Sequence, residues 1–119
     1  MGNVNKALGK DAGTKAVDMG TLQPSAARIY LRILDDFDRI KTMLAGDKAE
    51  EYGNPQTMCR RIGRRWFERD DGETDVAIMM AELKIERIKF DPTKEDSYMD
   101  AIAYLAMALA FTQERKHHD

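Results

Sequence analysis

From Pro24 to Gly46, apolar residues return every three or four positions as Ile29, Ile33, Phe37, Ile40 and Leu44. That spacing predicts one amphipathic helix, with Pro24 and Ser25 as start signals and Gly46 as its stop. After the turn-prone GDKAEEYGNP, Met58, Ile62 and Trp66 fall on one side of a second predicted helix, from about Gln56 to Arg69. Thr74, in the loop DDGET, is the expected N-cap of a third, which runs to about Lys89 before Pro92 forbids continuation. A fourth extends to about Lys116, and Thr93 and Asp96 at its start have the spacing of a capping box. No stretch alternates with period two, so the expected fold is all-α, a four-helix bundle with short connections. Met1 to Gln23 carries four glycines and only scattered apolar positions. It reads as a flexible N-terminal arm, residues 1–23, ahead of one helical domain, 24–119.

Composition narrows the partners. Nineteen Lys and Arg stand against twenty-one Asp and Glu, a net charge of −2, so no global basic excess would hold a nucleic-acid backbone. The single cysteine, Cys59, has no companion for a disulfide or a thiolate metal site, which fits a reducing, cytoplasmic setting. No apolar run approaches the roughly 20 residues needed to span a bilayer, so no membrane is expected as a partner.

The chemistry concentrates between Met79 and Phe111, where Glu82, Glu86, Asp96 and Asp100 sit in the most apolar part of the chain. At about 100° per residue, Asp75, Glu82 and Glu86 share a narrow stripe flanked by Val76, Met79 and Leu83 on one side and Ile78 and Ile85 on the other. The stripe is therefore expected to face protein. Between Ser97 and Phe111 the only charged residue is Asp100, in a helix apolar nearly all round and hence expected to be buried. Each pair of acids is four apart, and the connection IKFDPTK is short enough to set the two helices antiparallel. Clustered carboxylates repel one another and lose hydration unless a cation joins them. Hard oxygen ligands suit Mg²⁺ or Mn²⁺. The alternative is that Glu82 and Glu86 form ordinary ion pairs with Lys89 or arginines of the second helix, while Asp100 pairs with a buried arginine.

A carboxylate-bound divalent cation commonly meets substrate phosphates in its remaining coordination positions. Lys84 and Arg87 share the third helix with the acids, and Arg61 and Arg65, four apart on the second, could clamp a phosphate tail or form a solvated basic face. No GxxxxGK loop is present, and the only histidines, His117 and His118, lie at the C-terminus away from any nucleophile. Water, activated by a metal and deprotonated by a carboxylate, is the expected nucleophile.

Two blocks, YGNPQTMCRRIGRRW (Tyr52 to Trp66) and DVAIMMAELKIERIK joined to EDSYMDAIAYLAMAL (Asp75 to Leu109), about half of the chain, resemble the MazG-like all-α nucleoside triphosphate pyrophosphohydrolases. The likeness is nearest to phage MazZ-type enzymes, which cleave dGTP or GTP to the monophosphate and pyrophosphate. The resemblance implies an oligomeric helical core, a homodimer or homotetramer, in the cytoplasm of the host cell if the protein is phage-encoded. It also implies Mg²⁺ or Mn²⁺ held by Glu82, Glu86, Asp96 and Asp100, with Glu82, Glu86 and Asp100 catalytic. Water would attack the α-phosphate, and Lys84 and Arg87 would contact phosphate. Both acidic pairs here are four apart where the broad superfamily spaces them three apart, so Asp47, Glu50 or Glu51 stand as alternatives for the first pair. YGNP is either a turn or a lining of the nucleotide pocket, in which Tyr52 stacks on a base and Asn54 hydrogen-bonds its edge. The competing function is a non-enzymatic helical interaction module whose Met-rich faces pack a subunit interface.

Overall fold

The computed structural model describes residues 18–118, and the side chains of all of these except 47, 52, 117 and 118. Most of the expected arm therefore lies outside the described residues. All regular structure among them is helical: a 3₁₀ turn Met19–Thr21, then α1 (Pro24–Met43), a π-helical turn Leu44–Lys48, α2 (Ala49–Tyr52), α3 (Pro55–Phe67), α4 (Glu73–Phe90) and α5 (Glu95–His118). The all-α expectation holds. The chain divides into two compact units, one ending at Phe37 and one beginning at Asp38.

In the first unit, Asp18 caps the 3₁₀ turn by accepting from the Gly20 amide at 2.9 Å. Ile29, Tyr30, Leu31, Ile33 and Phe37 of α1 are exposed. In the second, helix continues through Gly46, the expected stop, as a π turn followed by α2. No heavy atom crowds Gly46, and the true terminator is Gly53, whose φ of +63° is a conformation that other residues adopt only with strain.

Asn54 and Pro55 start α3. The Asn54 carboxamide oxygen accepts from the backbone N–H groups of Gln56 (2.9 Å) and Thr57 (3.2 Å), and proline fixes the first helical φ. The helix stops at Phe67, two residues before the expected end, because Glu68 turns left-handed with φ 56°. The start of α4 also differs from expectation. Its N-cap is Gly72, without a side-chain cap, and Thr74 lies inside the first turn.

Helices α4 and α5 form an antiparallel hairpin, since Glu73 meets Arg115 while Lys84 meets Asp100. Small residues, Ala77, Ala81, Ala101, Ala103 and Ala108, are buried along the pair, which permits close approach. The main core lies toward the Glu73 end, where Cys59, Val76, Ala77, Ala108 and Phe111 cluster with Met58, Ile62, Met80 and Met107 packed on them. Trp66, expected beside Met58 and Ile62, is instead 72% exposed. At Gly63 a Cβ would stand 3.2 Å from the Gly72 carbonyl carbon, so α3 and the start of α4 approach backbone to backbone.

Candidate functional site

Burial on α4 corrects the expectation that its acidic stripe faces protein. Asp75, Glu82 and Glu86 are exposed, and the buried face is Glu73, Val76, Ala77 and Ala81. The physical reason is packing distance: alanines let the hairpin close, and Ile78, Met79, Leu83 and Ile85 stay on the outside of the single chain. Helix α5, expected to be buried all round, likewise exposes Tyr98, Ile102, Leu105 and Leu109.

At the connected end of the hairpin lies a cleft of about 590 Å³. Helix α4 contributes Leu83, Lys84, Glu86, Arg87 and Phe90, the connection contributes Asp91 and Lys94, and α5 contributes Asp96, Ser97 and Asp100. Of the four acids expected to form a metal site, Glu86, Asp96 and Asp100 share this lining, whereas Glu82 does not. The Asp100 carboxylate pairs with the Lys84 ammonium at 3.0 Å, their side chains only 20% and 15% exposed. A lysine, rather than the arginine considered as an alternative, thus compensates the acid of the apolar helix. Glu86 meets Lys89 at 3.2 Å on the exposed side, the ordinary pair also considered for it. Among the described residues no three His, Cys, Asp or Glu side chains gather closely enough to hold a metal ion by themselves.

The connection itself is pinned. The Thr93 amide (3.1 Å) and hydroxyl (2.6 Å) both donate to Asp91, and the Tyr98 hydroxyl donates to the Pro92 carbonyl (3.1 Å). These two bonds from Thr93, with Lys94 nearby, outweigh desolvation and hold the Asp91 carboxyl below the usual range. Thr93 gives its hydroxyl to Asp91, so Asp91 organises the start of α5 in place of the expected box with Asp96.

Arg61 and Arg65 are exposed on α3 and line no part of the cleft. The Asn54 amide oxygen is engaged in capping, and the Tyr52 side chain lies outside the described residues, as does that of Asp47.

A second charged group lies at the opposite end of the hairpin and was not expected from sequence. Glu73 is 1% exposed, with Arg115 at 2.8 Å on one oxygen and Arg60 at 3.6 Å from the other. Burial pushes its carboxyl up, but its own backbone amide, Arg60 and Arg115 together outweigh that and hold it below the usual range. Burial, and then the Glu73 charge, push the Cys59 thiol up. Glu73 shares a helical face with Val76, Ala77, Ala81, Lys84 and Ile88, and because apolar residues also occupy the other faces, spacing alone does not single it out.

One family profile, that of a domain of unknown function (DUF6378), matches residues 33–112. The chain belongs to this family. The DUF6378 span contains every residue lining the cleft and both Glu73 and Arg60, and it stops short of Arg115. No curated protein and no solved structure matches the chain. No helix among the described residues is long and apolar enough to cross a membrane.

Proposed function

We propose that the chain is a metal-dependent nucleoside triphosphate pyrophosphohydrolase of the MazG-like type that converts a (deoxy)nucleoside triphosphate to the monophosphate and pyrophosphate in the α4/α5 cleft. The observation that carries this reading is the lining of that cleft, where Glu86, Asp96 and Asp100 face the same space as Lys84, Arg87 and Lys94. Its volume lies within the roughly 300–1,000 Å³ usual for small-molecule sites. The preference for dGTP or GTP, the homodimeric or homotetrameric state and the cytoplasmic setting come from the sequence resemblance.

The donor set fits Mg²⁺ or Mn²⁺ in kind. Mg²⁺ usually takes one or two protein carboxylates and completes its shell with water and substrate phosphates, so a ready-made three-acid cage is not required. Asp96 and Asp100 would hold it, with Glu86 facing them from α4, Asp91 engaged by Thr93 in the connection, and Glu82 outside the lining. When bound, the ion supplies neutralisation of the phosphate oxygens and a more acidic water. Lys84, Arg87 and Lys94 contact phosphate oxygens and disperse the charge that grows on the leaving group. The water oxygen bonds to the α-phosphorus as the bridge to the β-phosphate breaks, pyrophosphate leaves with the bonding pair, and Glu86 accepts the water proton.

The test is pyrophosphate release from a panel of dNTPs and NTPs with Mg²⁺ or Mn²⁺, with Asp100→Asn alongside. Release from a guanine nucleotide, lost with EDTA and in the variant, is the expected result. The many apolar side chains left exposed on α1, α4 and α5 favour a second reading, a helical interaction module. Absence of release from every nucleotide, with a melting temperature indifferent to metal, would select that module.

A further inference from the structure

Among the described residues Phe90 has the highest exposure of the large apolar side chains, 92%, and it stands in the lining of the cleft. An aromatic ring left in water forgoes its burial free energy, and here the ring lines a cleft together with Leu83, where a ligand would recover it. Phe90 is not on a loose loop tip. It is the last residue of α4, and the turn after it is fixed by the Asp91 amide donating to the Arg87 carbonyl at 2.9 Å, as well as by the Asp91–Thr93 and Tyr98–Pro92 hydrogen bonds. The backbone that carries the ring is thereby fixed, so a ligand has only the two side-chain torsions of Phe90 to order.

Leu83, Arg87 and Phe90, at i, i+4 and i+7, run as one stripe of α4 along the cleft. Helical rise sets Phe90 about 9 Å along the axis from Lys84. At the connected end of the cleft the Phe90 ring stands beside Asp91 and Lys94, and a helical turn and a half away lies the Lys84–Asp100 pair. A ligand matching both carries a flat ring at one end and phosphate at the other. We infer that Phe90 is the residue on which the nucleobase of the triphosphate stacks, with the phosphates directed toward Lys84 and Asp100. This rests on the function proposed above and adds which end of the cleft engages the base.

The experiment is calorimetric titration, with Mg²⁺, of the α,β-methylene analogue of dGTP and of inorganic tripolyphosphate into the full chain and into Phe90→Ala and Phe90→Trp. Stacking predicts roughly tenfold weaker binding of the analogue to Phe90→Ala, unchanged binding of tripolyphosphate, and recovery in Phe90→Trp. Equal loss of both ligands, or no loss of either, overturns the inference. So does a shift in sedimentation coefficient for Phe90→Ala without a change in ligand discrimination, which would assign the ring to a subunit contact. If the unaltered chain releases pyrophosphate while Phe90→Ala binds the analogue normally, only this inference falls. If the analogue binds in a Phe90-dependent way and no nucleotide is cleaved, the inference stands and the hydrolase reading falls. An unaltered chain that binds no analogue removes both.

Discussion

The two ends of the α4/α5 hairpin use the same ingredients for opposite purposes. At one, a single carboxylate, Glu73, is sealed from water and served by two arginines, Arg60 and Arg115. At the other, Glu86, Asp91, Asp96 and Asp100 line an open cleft with Lys84, Arg87 and Lys94, and the close Lys84–Asp100 pair keeps partial contact with solvent. A buried carboxylate drawn to arginines from two other helices ties those helices together. Around the Lys84–Asp100 pair, the exposed Glu86, Arg87, Lys94 and Asp96 are able to turn toward a ligand. The contrast fits a structural role at the first end and the proposed chemistry at the second.

The sharpest way to break the contrast is at the sealed end. Arg115→Met leaves Glu73 buried and short of a partner, and is expected to lower stability by about 3 kcal/mol, read by urea unfolding. A change under about 1 kcal/mol would mean that the Glu73 group does not tie the helices together.

The pH profile sharpens the same point. The folded-state carboxyl of Glu73 titrates below its unfolded value, so its stabilising contribution is complete above about pH 4.3 and is lost as pH falls through the lowered folded value. Acid unfolding followed by circular dichroism should therefore show a fall in stability below about pH 4.3 that is shallower in Glu73→Gln. Identical profiles for the two proteins would sink the assignment.

A smaller loss of stability is expected at the open end. Lys84→Met and Asp100→Asn each break a pair that is mostly buried, and should cost about 1–2 kcal/mol in urea unfolding, less than Arg115→Met, while abolishing pyrophosphate release. Losses as large as that of Arg115→Met would make the two ends equivalent and leave the cleft a structural feature. The smallest effect is expected from Gly63→Ala, which sets a Cβ 3.2 Å from the Gly72 backbone. That backbone cannot swing aside as a side chain can, so after the helix propensity gained the loss should be about 1 kcal/mol in the same unfolding, with α3 loosening from α4.

Much of this was readable in the sequence. Helical period, Pro24, Pro55 and Pro92 located the helices to within a few residues, because proline and apolar spacing act locally. The short connection made the hairpin antiparallel, and three of the four selected acids line one cleft. The buried face of α4 was not readable in the same way. Apolar residues surround that helix, so angular arguments rank its sides poorly, and the face that won carries alanines rather than the larger Ile78 and Leu83. Gly46 and Gly63 show the same limit. One glycine passes inside continuous helix where nothing crowds it, and the other is required by a neighbour nine residues on, Gly72, that only tertiary packing brings close. The cleft residues Phe90, Asp91 and Lys94 escaped notice because their significance comes from the turn that holds them beside α5.

Cys59 gives the sealed end a built-in clock. As the chain's only thiol it is 1% exposed, and its ionisation is suppressed by burial and by the charge of Glu73. A thiol reagent can reach it only when the α3/α4/α5 junction opens, so the labelling rate of the unmodified protein reports the open population at low reagent and the opening rate at saturating reagent. The junction's breathing can then be timed without altering a single residue.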